Sequence, residues 1–129
     1  MAKLRHIAIN TSNLEAEVSF WKNAFELEEV GRAGTPENGA CYLSDGCINL
    51  AIICISDPEY PNYDPQGLNH LGFVCENIDD AIETAERHGA IKLVDPNDRD
   101  AGVTWEMKMR APSGVNIDLS DHGWPGIRL

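Results

Sequence analysis

Long apolar runs are missing from this sequence. The longest, Leu50 to Ile55, is six residues, far short of the roughly 20 that span a bilayer. The opening MAKLRHIAIN has no apolar core of the kind signal peptides carry, so a cytoplasmic location and no membrane partner are expected. Basic residues are scarce as well: 10 Lys and Arg face 21 Asp and Glu, for a formal net charge of -11. A field of that sign repels phosphate backbones, and no nucleic-acid partner is expected. It favours cations, although a solvated acidic surface that keeps a domain soluble has the same composition. Paired cysteines are absent: Cys41, Cys47, Cys54 and Cys75 form no C-x-x-C, and within apolar strands they read as buried small side chains rather than a disulfide or a thiolate metal site. P-loop, G-x-G-x-x-G, G-x-S-x-G and H-E-x-x-H patterns are also absent, so the chemistry they carry finds no support.

What remains is a chain of 129 residues, 43% hydrophobic and 24% charged. That mixture fits one compact domain able to bury a core without disulfides.

The chain contains its own copy. Leu4-Arg5-His6-Ile7-Ala8-Ile9 lies over Leu68-Asn69-His70-Leu71-Gly72-Phe73 at an offset of 64, and Asn13-Leu14-Glu15 lies over Asn77-Ile78-Asp79 at the same offset. Later, Gly46-Cys47-Ile48-Asn49-Leu50 resembles Gly114-Val115-Asn116-Ile117-Asp118-Leu119, with Asn49 over Asp118. Two echoes in the same order indicate a duplicated unit.

Each copy reads βαβββ. In the first, Leu4 to Asn10 is a strand. Ser12 or Asn13 caps a helix ending near Leu27, with Leu14, Val18, Trp21 and Phe25 at helical spacing. An apolar stretch around Val30 follows, then strands Ala40 to Ser44 and Cys47 to Ile55, joined by Asp45-Gly46 as a two-residue hairpin. In the second, the strand Leu68 to Cys75 leads to a helix capped by Asn77 and stopped at Gly89. Strands Ile91 to Val94, Val103 to Arg110 and Val115 to Ser120 follow, the last two joined by a type I turn at Pro112-Ser113-Gly114. The expected organisation is a single domain over 1–129: module one about 1–56, a Pro-rich linker about 57–67, and module two about 68–124. The segment Asp95 to Gly102 reads as a polar loop.

Side chains alternate along a strand. With Ile7 and Ile9 turned to the helix, His6 lies on the other face; the same parity puts Asn49, His70 and Asp118 on the face away from the helices. Two imidazoles, a carboxylate and an amide there must bond each other, meet water, or hold something. A water-filled polar groove is the plain reading. A divalent ion on His6, His70 and Asp118 satisfies the set better: two His and one carboxylate suit Fe(II), and also Zn, Mn, Co or Ni with water.

The paired βαβββ halves, the strand-borne His6 and His70, and the hairpin ending in Gly114-Val115-Asn116-Ile117-Asp118-Leu119 resemble the vicinal oxygen chelate superfamily. It includes glyoxalase I, methylmalonyl-CoA epimerase, extradiol dioxygenases and bleomycin-resistance proteins. The likeness covers nearly the whole chain, with the Pro125 to Leu129 tail outside it. It implies an α+β fold in which two βαβββ modules form a cupped, partly closed mixed sheet with helices outside. It also implies one divalent metal (Fe, Zn, Ni, Co or Mn) on His6, His70 and Asp118, with Asn49 at the remaining position, and a homodimer. If halves are exchanged between chains, His6 and Asn49 complete a site with the partner's His70 and Asp118.

The shared chemistry is bidentate binding of a small-molecule substrate through adjacent oxygens, with the metal as Lewis acid. The first expectation is a glyoxalase-like lyase or isomerase, with Asp118, Asn49 or His122 relaying the proton. The second is an Fe(II) extradiol-type dioxygenase, with Tyr60, Tyr63 or His122 as acid or base. The third is a non-enzymatic, drug-sequestering binder with a groove lined by Trp105 or Trp124. Elsewhere the plain readings prevail: His88 complements a helix end, and Trp105, Met107 and Met109 pack a core or an interface. Glu106, Lys108 and Arg110, on the opposite parity, either reach a substrate carboxylate or lie on a solvated edge.

Overall fold

The computed structural model describes residues 2–60, 64–94 and 106–128. Tyr63, Trp105, the loop Asp95 to Gly102 and the start of the strand expected from Val103 lie outside the described residues.

The duplication is present as two βαβββ runs. The first comprises β1 (Lys3–Asn10), α1 (Leu14–Phe25), β2 (Glu28–Gly34), β3 (Asn38–Ser44) and β4 (Asn49–Ile55). The second comprises β5 (Gly67–Val74), α2 (Ile78–Arg87), β6 (Ile91–Lys92), β7 (Met107–Arg110) and β8 (Asn116–Ser120). The strand orders are β2-β3-β4-β1 and β5-β8-β7-β6. In each, the first and last strands of the run pair in parallel, β1 with β4 and β5 with β8, while the other neighbours are antiparallel. The α+β fold class of the sequence reading holds. Two compact units result: residues 6–69 with 124–128, and the described residues of 2–5 and 70–123.

Both helices start as expected. The Asn13 side chain accepts from Ala16 N and that of Asn77 from Asp80 N, satisfying first-turn donors that have no intrahelical partner. The ends differ. At α2, Gly89 takes a left-handed φ of 107°, its N–H bonds the Glu86 carbonyl and Ala90 N bonds the Ala85 carbonyl, closing a glycine-terminated cap. At α1 the left-handed residue is Glu26, φ 58°, and Phe25, at the end of the apolar stripe, is 59% exposed, its ring against Trp21 and Phe20 of the same helix rather than in the core cluster.

The two-residue hairpin expected at Asp45-Gly46 is replaced by a four-residue loop. Ser44 pairs with Asn49, leaving residues 45–48 unpaired. Side chains satisfy the backbone donors there: Asp45 Oδ1 accepts from Cys47 N (2.8 Å) and Ile48 N (2.9 Å), and Ser44 Oγ accepts from Gly46 N (2.9 Å). Asp45 is thereby held below the usual carboxylate range. The β7–β8 turn is as expected, with the Ala111 carbonyl accepting from Gly114 N at 2.9 Å across Pro112.

In the first unit Leu14 and Val18 of α1 pack on Cys41, Leu43, Ile52 and Cys54. In the second, Ile78 and Ile82 of α2 pack on Cys75, Met107, Met109 and Leu119. Met107 and Met109 are core residues, as the plain reading held. Cys41, Cys54 and Cys75 are buried free thiols and Cys47 is half-buried. Burial pushes the Cys41 thiol up to about 11, helped by the hydrogen bond it donates to Glu29. Because the thiolate is the reactive form, a chromogenic disulfide at neutral pH should label Cys47 rapidly and the other three only on unfolding. Rapid loss of two or more thiols in native protein would contradict this packing.

Candidate functional site

In the second unit the strand registers assemble a charged cluster. Lys108 of β7 lies directly opposite Asp118 of β8, and Gly72 of β5 pairs with Asp118 on the other side. His70, two residues before Gly72, shares its parity. The Asp118 carboxylate is 3% exposed, and its Oδ2 receives two groups: His70 Nε2 at 3.2 Å and Lys108 Nζ at 3.0 Å. Glu106 Oε2 stands 3.9 Å from the same ammonium. Burial lowers the affinity of His70 for a proton; Asp118 opposes that shift and Lys108 reinforces it. Burial thus favours the neutral ring, in which the contact with Asp118 is an Nε2–H donating to the carboxylate.

In the first unit the parallel register sets His6 beside Asn49. Asn49 is wholly buried and His6 nearly so. Asn49 Nδ2 donates to the Pro125 carbonyl at 2.9 Å, and a carbonyl can only accept, so the amide orientation follows: Oδ1 faces His6 Nδ1 at 2.8 Å. In the neutral ring Nδ1 is then the protonated nitrogen and Nε2 carries the lone pair. Trp124 stacks on the imidazole, with centroids 4.5 Å apart and planes 6° from parallel.

Trp124 and, in the tail outside the resemblance, Pro125 thus hold His6, the first directly and the second through Asn49. Ser44 Oγ lies 2.9 Å from the Gly126 carbonyl and fixes the same segment. Gly126 has a φ of +80°, and a Cβ there would sit 2.7 Å from Ser44 Cβ. Gly126→Ala should lower stability by about 1–3 kcal/mol through left-handed strain and the clash. An unchanged melting temperature in a thermal scan would show that the tail does not dock this way.

The other candidates are placed less centrally. His122 is exposed; its Nδ1 lies 3.0 Å from Ser120 Oγ and 2.9 Å from the Gly123 carbonyl, within its own turn. Tyr60 is 53% exposed. A cavity of about 590 Å³ opens in the first unit, lined by Asn10, Thr11, Asn13, Glu17 and Gln66 among others, and contains none of the candidate ligands.

His70 and Asp118 in the second unit are donor types that divalent metals take, and the first unit offers His6 alone. His70 Nε2 and Asp118 Oδ2, 3.2 Å apart, have the spacing of adjacent ligands at roughly 2.0–2.2 Å from a shared ion. The His6–Asn49 bond is the arrangement that metal-bound histidines use to fix their tautomer. Among the described residues no three His, Cys, Asp or Glu side chains gather as a metal-binding group; in one unit His70 and Lys108 meet Asp118, and in the other His6 meets Asn49. Strand parity puts all four of these residues on one face; which of them meet is decided by strand register. The sequence reading treats Lys108 as one of three strand neighbours and does not foresee the Pro125 contact.

The paired βαβββ topology has a counterpart among known families. The sequence profile described as Glyoxalase/Bleomycin resistance protein/Dioxygenase superfamily matches residues 5–105. The chain belongs to this superfamily. Among solved structures, this superfamily member resembles a hypothetical protein from Bacillus halodurans (TM-score 0.72, 17% identity, 92% of this chain and 93% of that one). It resembles a Streptomyces coelicolor methylmalonyl-CoA epimerase in complex with 2-nitronate-propionyl-CoA (TM-score 0.70, 18% identity, 91% and 94%). It is similar too to a variant of 4-hydroxymandelate synthase from Streptomyces coelicolor (TM-score 0.79, 16% identity, 98% of this chain but 40% of that one). At such identities the likeness is one of fold. No curated protein sequence matches the chain at a significant level. No described helix is long and apolar enough to cross a membrane.

Proposed function

We propose that this superfamily member is a divalent-metal-dependent enzyme of glyoxalase-like type, a lyase or isomerase acting on a small substrate through adjacent oxygens. The observation that carries the reading is the convergence of His70 Nε2 on Asp118 Oδ2 at 3.2 Å on a carboxylate that is almost fully buried. His70 and Asp118 are assigned as ligands, with His6 as the further ligand that the sequence repeat implies. Bound there, the ion supplies Lewis-acid stabilisation of negative charge developing on substrate oxygen.

The protein's own groups do the rest. Asn49 holds His6 in the tautomer that leaves Nε2 as the donor atom, and Pro125 and Trp124 hold Asn49 and the ring in place. To serve as a ligand through Nε2, His70 would carry its ring proton on Nδ1. Asn49, with both amide atoms engaged, is an orienting residue rather than a ligand or relay. The proton relay falls to Asp118 or His122, the titratable members of the candidate set.

The test is to strip the protein of metal and refill it with Fe(II), Zn, Mn, Co or Ni. Each form is then assayed on hemithioacetals, 2-oxo compounds and acyl-CoA esters with an acidic α-proton. Metal-dependent turnover on one of them is expected, lost in His70→Ala. No turnover with any metal across the set overturns the reading.

One observation favours a second reading. With Asn49 engaged by His6 and Pro125, the ligands this reading assigns are two His and one carboxylate, the donor types that Fe(II) oxygenases use. Oxygen uptake with a catechol or a 2-oxo acid, by the Fe(II) form alone, would select it.

A further inference from the structure

Asp118 already holds a cation. The Lys108 ammonium sits 3.0 Å from Oδ2, the same oxygen that faces His70 Nε2. This placement follows from the backbone, because Lys108 and Asp118 are directly opposed in the β7–β8 ladder. A divalent ion bound between His70 and Asp118 would meet that ammonium at close range around one carboxylate oxygen, where like charges repel strongly. Lys108 can leave: its side chain is 51% exposed, its stem is long and unbranched, and Glu106 Oε2 is already 3.9 Å away as an alternative partner. Asp118, 4% exposed in its side chain, cannot turn to water instead.

We infer that Lys108 is the resident counter-ion that a divalent metal must displace, and that Glu106 receives the displaced ammonium. The inference rests on the metal-binding reading above and adds a regulation of that site: metal affinity is set by competition between two cations for one carboxylate. Lys108 keeps the buried Asp118 paired while the metal is away. Glu106, two residues earlier in the chain and just before β7, adjusts the balance by stabilising the displaced position.

The experiment is calorimetric titration of the full chain with Co(II), read in parallel by the visible absorption of the bound ion. Lys108→Met should bind Co(II) about 10- to 100-fold more tightly than the parent, the scale on which groups next to metal ligands act. Glu106→Gln should bind several-fold more weakly in the parent background and show no effect in the Lys108→Met background, since its role acts through Lys108. Lys92→Met, which removes a charge on β6 beside β7 that is paired with Glu86 of α2, should change affinity less than about 2-fold, separating local competition from net charge.

Lys108→Met affinity equal to or weaker than the parent overturns the competition, as does a Glu106→Gln effect of the same size in both backgrounds. If the parent binds Co(II) and His70→Ala does not, the metal-binding reading survives either result. If neither the parent nor Lys108→Met binds, both readings fall.

Discussion

Asp118→Asn should lower metal affinity by about 100-fold or more while leaving the protein folded. The amide keeps one carbonyl oxygen that can still accept from His70 Nε2, so the hydrogen bond at 3.2 Å has a neutral replacement. Lys108, half-exposed, returns to water at little cost, as expected when one end of an ion pair is solvated. What is lost is the charged oxygen ligand, and a neutral amide oxygen binds a divalent ion far less well. Folding therefore changes by about 1 kcal/mol, whereas binding of Co(II) or Zn(II) falls by orders of magnitude. Far-ultraviolet circular dichroism and calorimetric titration on the same preparation separate the two effects. A folded Asp118→Asn protein with parental metal affinity would remove Asp118 from the ligand set.

The largest expected effect on stability is at Ile52. It is wholly buried at the centre of the first unit's core, on β4 between β3 and β1, with Leu14 and Val18 of α1 in the same cluster. Truncation to alanine removes three carbons and leaves a cavity that the sheet cannot close, because neighbouring strands are tied by ladder hydrogen bonds. Ile52→Ala should cost about 2–5 kcal/mol, roughly a 5–15 °C fall in melting temperature for a chain of this size. Phe25→Ala is the matching contrast. Phe25 stands on the stripe that helical spacing marks as apolar, yet it is 59% exposed, so its removal should cost about 1 kcal/mol or less. Equal losses at the two positions, measured by urea unfolding, would contradict the burial described here.

Much of this could be read beforehand. The repeat sets His6 over His70 and Asn49 over Asp118, and strand alternation puts Ile48, Leu50 and Ile52 on one side and Asn49 on the other. Ile52 and Leu50 belong to the packed cluster, whereas Ile48 falls in the β3–β4 loop. The type I turn at Pro112 and the α2 stop at Gly89 were legible because proline and glycine restrict the backbone locally. The β3–β4 connection was misjudged because Asp-Gly also suits a longer loop when flanking side chains can take up the spare N–H groups, as Asp45 and Ser44 do.

The amino-acid order alone determined the α+β class, the duplication, the helix caps and the polar parity of each sheet. These depend on local conformation and on a period of two or 3.6 residues, which any stretch of chain carries within itself. Tertiary structure alone decided that Lys108 rather than Arg110 lies against Asp118, and that residues 124–128 fold back to pin Asn49 and stack on His6. The first is a matter of strand register and the second of chain return over long sequence separation. Neither leaves a trace in local spacing, since a slip of two residues along β7 would keep every hydrophobic side chain inward and change only which charge meets the carboxylate.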